Sequence, residues 1–237
     1  MSNQHQEHWH RRLLEGSAGL MAGLTTVLIS IGGLVEIVPM FTDGPAGPDR
    51  SVSIEVYTPL EVAGRDIYTR EGCYTCHSQM VRPFRSETMR FGEWSRAWEY
   101  QYDRPFLLGS RRIGPDLHRL GGKYPDLWHV RHMRNPKDIE AKSIMPAYPW
   151  MLTNPLDFDG IQRKVDAMVM LGVPYGDAVT DAPAMARTQA QAIAQSIASQ
   201  GGPADLSDKE IVAMVAYLQR LGRDVSAPAA AGAAGAP

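Results

Sequence analysis

The chain has 237 residues, 44% of them hydrophobic and 21% charged, with a formal net charge of -2. That length buries one substantial core and leaves room for a small second unit. The near-neutral balance lacks the basic footprint of a nucleic-acid binder, and two cysteines are too few for a disulfide framework.

The first informative segment is Gly16 to Val35 (GSAGLMAGLTTVLISIGGLV), an uncharged run bounded by Glu15 and Glu36. At ~1.5 Å per residue it spans about 30 Å, the thickness of a bilayer's hydrocarbon core. The run exceeds the ~7–15 apolar residues of a cleaved signal peptide, and no small-residue cleavage site follows it. Residues 16–39 therefore read as a single transmembrane anchor after a short N-terminus, 1–15. Arg11 and Arg12 precede the run, and Asp43 and Asp49 follow it. The positive-inside rule places the N-terminus in the cytoplasm and the rest outside, which for a bacterial inner membrane means the periplasm. Gly19, Gly23, Gly32 and Gly33 would let another helix approach closely.

Residues 40–57 carry turn-forming Gly, Pro and Asp and read as a linker. Thr58 to Glu61 (TPLE) is a capping box with proline at the first helical position, and it opens a helix leading to Cys73. Residues 78–124 show little periodicity. PDLWHVRHMRN predicts a short helix that Asn135-Pro136 stops. Residues 159–172 and 183–200 predict helices closed by Gly172 and Gly201. The second carries Met185, Ile193 and Ile197 as a thin buried stripe. Ser207 and Glu210 predict a second capping box, with Leu206 and Ile211 as a hydrophobic staple. It opens a final helix bearing Ile211, Met214, Val215, Leu218 and Leu221, closed by Gly222. The tail, 224–237, cannot bury a core and is expected to be disordered. The fold class is mainly α.

Both cysteines fall in EGCYTCHSQ, as Cys73 and Cys76 followed by His77. A zinc site would need its remaining ligands from scattered histidines. A redox disulfide would need an alternating strand–helix setting, which the pattern lacks. C-x-x-C-H is the attachment signature of a c-type haem. Residues three and four apart share a helical face, so both thiols meet one porphyrin edge while His77 faces the iron. One motif implies one covalent haem c, with His77 as its proximal ligand.

The second axial ligand decides what such a haem does. Met145 lies in SIMPAYPWM, where Pro146 and Pro149 stiffen the chain around a weak thioether ligand. Met/His ligation raises the potential and fills both axial positions, favouring electron transfer over gas binding. Met151 and His132 are the alternatives, whereas Met80 is too near His77 to cross the ring. The loop RRIGPDL, with Pro115, is placed to pass the proximal face and accept the ring N–H of His77 on a backbone carbonyl. Arg82, Arg85, Arg111 and Arg112 are candidates for the haem propionates, and Tyr148, Trp150 and Phe84 for packing on the ring.

These pieces occur in a characteristic order: IGGLVEIVPMF, GRDIYTREGCYTCHSQMVRPFRSET, YDRPFLLGSRRIGPDLHRLGGKYPDLWH, then SIMPAYPWM. The order closely resembles the membrane-anchored mono-haem cytochrome c subunit (subunit II) of cbb(3)-type cytochrome c oxidases, densely over residues 20–152. The resemblance implies a class I cytochrome c-like domain over 58–223, in which 153–205 is a variable helical insertion. EIVAMVAYLQRLG looks like its C-terminal helix, with Gly64, Tyr68 and Tyr217 at the crossing with the helix before the haem motif. It also implies His77 and Met145 as the axial pair. Electrons would pass from a di-haem cytochrome c subunit through this chain to the haem b and haem–copper centre of the catalytic subunit, where oxygen becomes water. The chain itself would be a non-catalytic electron-transfer subunit. Family members contribute to a calcium site at the catalytic-subunit boundary, and the matching residue here is Ser110.

Three rivals keep the haem but change its use. The small haem c subunit of a nitric oxide reductase is usually shorter and is not expected to carry CHSQMVRPFR. A free-standing anchored cytochrome would want a longer linker than 40–57. A gas sensor or peroxidase would need an open sixth position on the iron.

Overall fold

The computed structural model describes residues 9–11, 15–42, 52–176 and 179–226. Most of the expected cytoplasmic segment, linker residues 43–51 and tail residues 227–237 lie outside them. The chain divides into two compact units, residues 1–47 and 48–237. The first contains α1 (Ala18–Thr42), within which Ala18–Val38 has a mean hydropathy of 1.9 and is long and apolar enough to cross a membrane. None of that stretch is buried against protein, as a lipid-facing helix requires.

The second unit is helical, with no strand among the described residues. Its helices are α2 (Pro59–Arg70), α3 (Arg85–Phe91), α4 (Asp126–Arg134), α5 (Ile161–Met170), α6 (Ala182–Ser199), α7 (Glu210–Arg220) and α8 (Arg223–Ser226). α2 starts as its sequence predicts. The Thr58 hydroxyl accepts from the Glu61 amide, and the Glu61 carboxylate accepts from the Thr58 amide at 2.8 Å. α4 ends at Asn135, whose extended φ of -158° leads into Pro136.

The core forms where α2 crosses α7. From Glu210 to Leu218 every residue of α7 is buried, so this helix is enclosed on all sides rather than one-faced. A Cβ on Gly64 would stand 1.9 Å from the Ala213 carbonyl oxygen and 2.8 Å from Tyr217 Cβ. Only glycine lets the two backbones come this close. The Tyr68 and Tyr217 rings sit beside the crossing with centroids 5.3 Å apart.

Three expectations need correction. The start of α7 carries no capping box: Lys209 takes the cap position without a side-chain hydrogen bond. The backbone around Ser207 is instead held against 154–156, through Leu156 N–H to Asp208 O at 2.8 Å and Glu210 N–H to Asn154 O at 3.1 Å. The Glu210 carboxylate is thereby free to take both Arg70 Nη atoms at 2.7 and 2.9 Å, fastening α7 to the end of α2. Leu206 and Ile211 are nevertheless both buried.

The stripe on α6 also differs. Ala182, Ala186, Ala190, Ala194 and Ile197 are buried, whereas Met185 is exposed. Small residues at i, i+4 spacing let α6 lie close to its neighbours. The segment 153–205 packs against α2, α4 and α7 through α5 and α6, and Phe158, Ile161, Val165 and Met168 join the same core. Finally, the aperiodic stretch 78–124 contains α3 and a short 3-10 turn, Ala97–Tyr100.

Gly64→Ala should overpack the crossing. We expect a loss of about 1–3 kcal/mol, beyond the ~1 kcal/mol that alanine returns in helix propensity, read as a lower denaturation midpoint of the purified protein.

Candidate haem-attachment site

α2 delivers the chain to the cysteines. After Arg70, Gly72 adopts a left-handed φ of 72°, and Cys73–Thr75 form one 3-10 turn. The amides of Cys76 and His77 both point back to the Cys73 carbonyl, at 3.2 and 2.9 Å. Cys73, Cys76 and His77 therefore share a single turn, as their spacing predicts. Both thiols are free. Burial, aided by the nearby Glu71 carboxylate, pushes the Cys73 thiol up to about 12. Such a group is a protonated thiol at neutral pH, the reverse of the activated thiolate of a redox disulfide.

His77 is held from one side by the loop 108–117. Its Nδ1 lies 2.8 Å from the Pro115 carbonyl oxygen. A carbonyl only accepts, so Nδ1 carries the proton and Nε2 keeps its lone pair. Burial lowers the pKa of the ring, against the opposing pull of the Pro115 carbonyl and of Asp116, and so favours neutral imidazole. A Cβ on Gly114 would fall 2.3 Å from His77 Cε1, so the loop lies flat against the ring only because residue 114 has no side chain. The loop is stitched to the motif by its backbone. Ile113 and Gly114 donate to Cys76 O at 2.9 and 3.0 Å, Leu117 donates to Ser78 O at 2.9 Å, and Gln79 donates to Leu108 O at 2.7 Å.

Polar side chains that the sequence did not single out complete this clamp. The buried Asp116 carboxylate accepts from Ser78 Oγ (2.7 Å), Met80 N–H (2.8 Å) and His118 N–H (2.9 Å). The Gln79 side chain meets the Tyr217 hydroxyl at 2.9 Å, and Tyr100 donates to the Gln79 carbonyl at 2.7 Å. These bonds give Ser78 and Gln79 a structural task, anchoring the motif to α7 and to the loop.

The candidate arginines separate into two groups. Arg82 and Arg112 are both spent on Glu87, Arg82 through Nε at 2.5 Å and Arg112 through Nη1 at 2.6 Å. Arg112 also bonds Ser78 Oγ and Met80 O, each at 2.9 Å. Arg85 and Arg111 are exposed and make no ion pair with a described residue. Tyr148 stands near both cysteines, and its hydroxyl is pushed up to about 12, chiefly by burial. The Trp150 ring meets Tyr148 edge-on at 5.4 Å. Met145 is half-buried and packs against the core. Of its two alternatives, Met151 is fully buried among the core side chains, and His132 stacks on Trp128 at 4.7 Å. Ser110 is exposed, and among the described residues no three His, Cys, Asp or Glu side chains gather as a metal cluster.

The donor set fits a haem. Two free thiols and one imidazole with a free Nε2 share one turn, and the two histidines of α4 keep buried ring nitrogens that no protein group satisfies. Residues 10–225 match the family described as cytochrome C oxidase, mono-heme subunit/FixO. No curated protein matches the chain.

Glu87 supplies a test of the arginine clamp. Burial pushes its carboxyl up, but the hydrogen bonds from Arg82 and Arg112 outweigh that and hold it at about 2. Its folded pKa lies below the ordinary value of 4.5, so its contribution is complete above that pH and is lost as pH falls towards 2. Glu87→Gln should lower stability at pH 7 and flatten the acid-side fall between pH ~4.5 and ~2, as read by urea denaturation across that range.

Proposed function

We propose a function for this chain from one premise: it belongs to the mono-haem subunit (FixO) family of cytochrome c oxidases. It is an electron-transport component with one haem that works in complex with other oxidase subunits. Our fuller reading is that it relays electrons from a di-haem cytochrome c subunit to the haem b of the catalytic haem–copper subunit.

The chain's own residues would perform four tasks. The Cys73 and Cys76 S–H groups would add across the two vinyl groups, making two thioethers with no net change of oxidation state. His77 Nε2 would ligate the iron, its orientation and tautomer set by the Pro115 carbonyl. Met145, in its proline-stiffened loop, would be a second protein ligand to the iron, and the Tyr148 and Trp150 rings, packed edge-on, would line the pocket. Arg111, with its charge uncommitted, would meet a propionate at the surface. When bound, the haem would supply a one-electron iron couple. Any calcium at Ser110 would draw its remaining oxygen ligands from a partner subunit.

α1 would anchor the chain in a bacterial inner membrane. Arg11 and Arg12 favour a cytoplasmic N-terminus and a periplasmic haem domain. Residues 58–223 would form that domain. The observation that carries the reading is the His77 imidazole, held by Pro115 under Gly114 with Nε2 free.

Met145→Ala should leave the haem covalently attached and lower its midpoint potential, since thioether ligation favours the ferrous iron. An unchanged potential and spectrum would remove Met145 from the coordination sphere. Purification in detergent through this chain should recover b-type haem and copper with oxygen uptake. Recovery of non-haem iron with nitric oxide reduction would instead place the chain in a nitric oxide reductase.

A further inference from the structure

His129 lies at the middle of α4, and its ring is fully buried. Neither of its ring nitrogens has a hydrogen-bond partner. Aromatic rings enclose it edge-on, Trp128 at 5.2 Å and Tyr124 at 6.3 Å. Burial lowers its pKa to about 4, so the ring is neutral at ordinary pH, with one N–H to give and one lone pair. A buried imidazole in an apolar wall is costly unless something accepts that proton.

A second imidazole repeats the pattern one turn later. His132 shares the helical face of His129, and its Nδ1 is likewise buried and unpartnered. The Met133 carbonyl beside His132 accepts from the N–H of Tyr148, the residue that stands near both cysteines, at 2.8 Å, and His77 is close enough to His132 to disfavour its protonation, so this end of α4 lies beside the haem motif. Three unsatisfied ring nitrogens thus lie on one face, and the described protein groups offer them nothing. The haem that His77 would hold brings two propionate carboxylates, which are acceptors. Arg82 is already committed to Glu87, and Arg112 to Glu87 and Asp116.

We propose that His129 donates a ring N–H to a buried propionate of the haem attached at Cys73 and Cys76, and that His132 lines the same polar edge of the cavity. His129 is then a positioning residue, fixing the macrocycle from the α4 side while the cysteines fix it from the other. The proposal rests on the haem reading above. A trapped water is the competing partner, and it would leave the propionate unbonded.

The experiment uses the full-length holoprotein in detergent. A haemochrome assay of the denatured wild-type chain reads covalent haem, and its failure would sink the haem reading itself. Given attached haem, resonance Raman spectroscopy of the propionate bending bands tests the proposal. His129→Leu should shift one bending band to the position of an unbonded carboxylate and lower the midpoint potential, because the propionate charge is no longer offset. His129→Asn or His129→Gln, whose amides keep a donor near Nδ1 or Nε2, should restore both. An unchanged band in His129→Leu, with equal or higher thermal stability, would overturn the proposal in favour of a core or water-bound imidazole. Should the variants fail to accumulate, nitrogen-15 histidine NMR of the oxidised wild type decides. An exchange-protected, hyperfine-shifted imidazole N–H beyond that of His77 supports the bond, and its absence refutes it.

Discussion

The hydrogen bond between His77 Nδ1 and the Pro115 carbonyl organises the rest of the haem-motif region. It demands that a backbone carbonyl reach the edge of an imidazole, and so that residue 114 carry no side chain. It also demands that the loop be held there without help from a helix or a strand. Four backbone bonds between 76–79 and 108–117 do that work, and the Asp116 carboxylate locks the two segments with two further bonds, from Ser78 Oγ and Met80 N–H. A ring fixed in tautomer and direction is prepared to ligate a metal with little reorganisation. The same clamp explains why Arg112, close to the motif in space, is a structural residue: its guanidinium is consumed by Ser78, Met80 and Glu87.

The motif must also be carried by something stiff. α2 enters it and α7 crosses α2 at Gly64, where the backbones touch. Gln79, just past the motif, hydrogen-bonds Tyr217 on α7, and Arg70, just before it, pairs with Glu210 at the start of α7. The turn over residues 73–77 is therefore tied to α7 from both ends. α5 and α6 close over this crossing. α5 contributes Ile161, Val165 and Met168, whereas α6 contributes four alanines and Ile197, whose close approach brings many weak dispersion contacts.

Much of this was legible beforehand, because the signals concerned are local. The Thr58–Glu61 capping box, the stop at Asn135-Pro136 and the apolar period of α7 each act within one or two helical turns. The loop RRIGPDL was readable as a carbonyl source because a Gly-Pro pair marks an exposed turn. The failures share a different cause. Ser207 and Glu210 have the spacing of a capping box, yet the Asn154 carbonyl and the Arg70 guanidinium, more than fifty residues distant in the chain, claim Glu210 first. On α6 Ile197 is buried and Ile193 packs against the core as expected, but Met185 is exposed and four alanines supply the rest of the buried face.

By itself, then, the sequence determined the chemistry: C-x-x-C-H places two thiols and an imidazole on one turn through covalent spacing alone, and an uncharged run long enough to span a bilayer precedes them. Only the tertiary structure decided which groups those residues meet. Gly114 under His77 and Glu87 between two arginines are contacts between segments that have no common periodicity, and the burial of His129 without a hydrogen-bond partner is likewise a product of the fold. The physical reason is range. Helical caps and ligand spacing are settled by neighbours along the chain, whereas a buried carboxylate or imidazole is settled by whatever the folded chain brings to it.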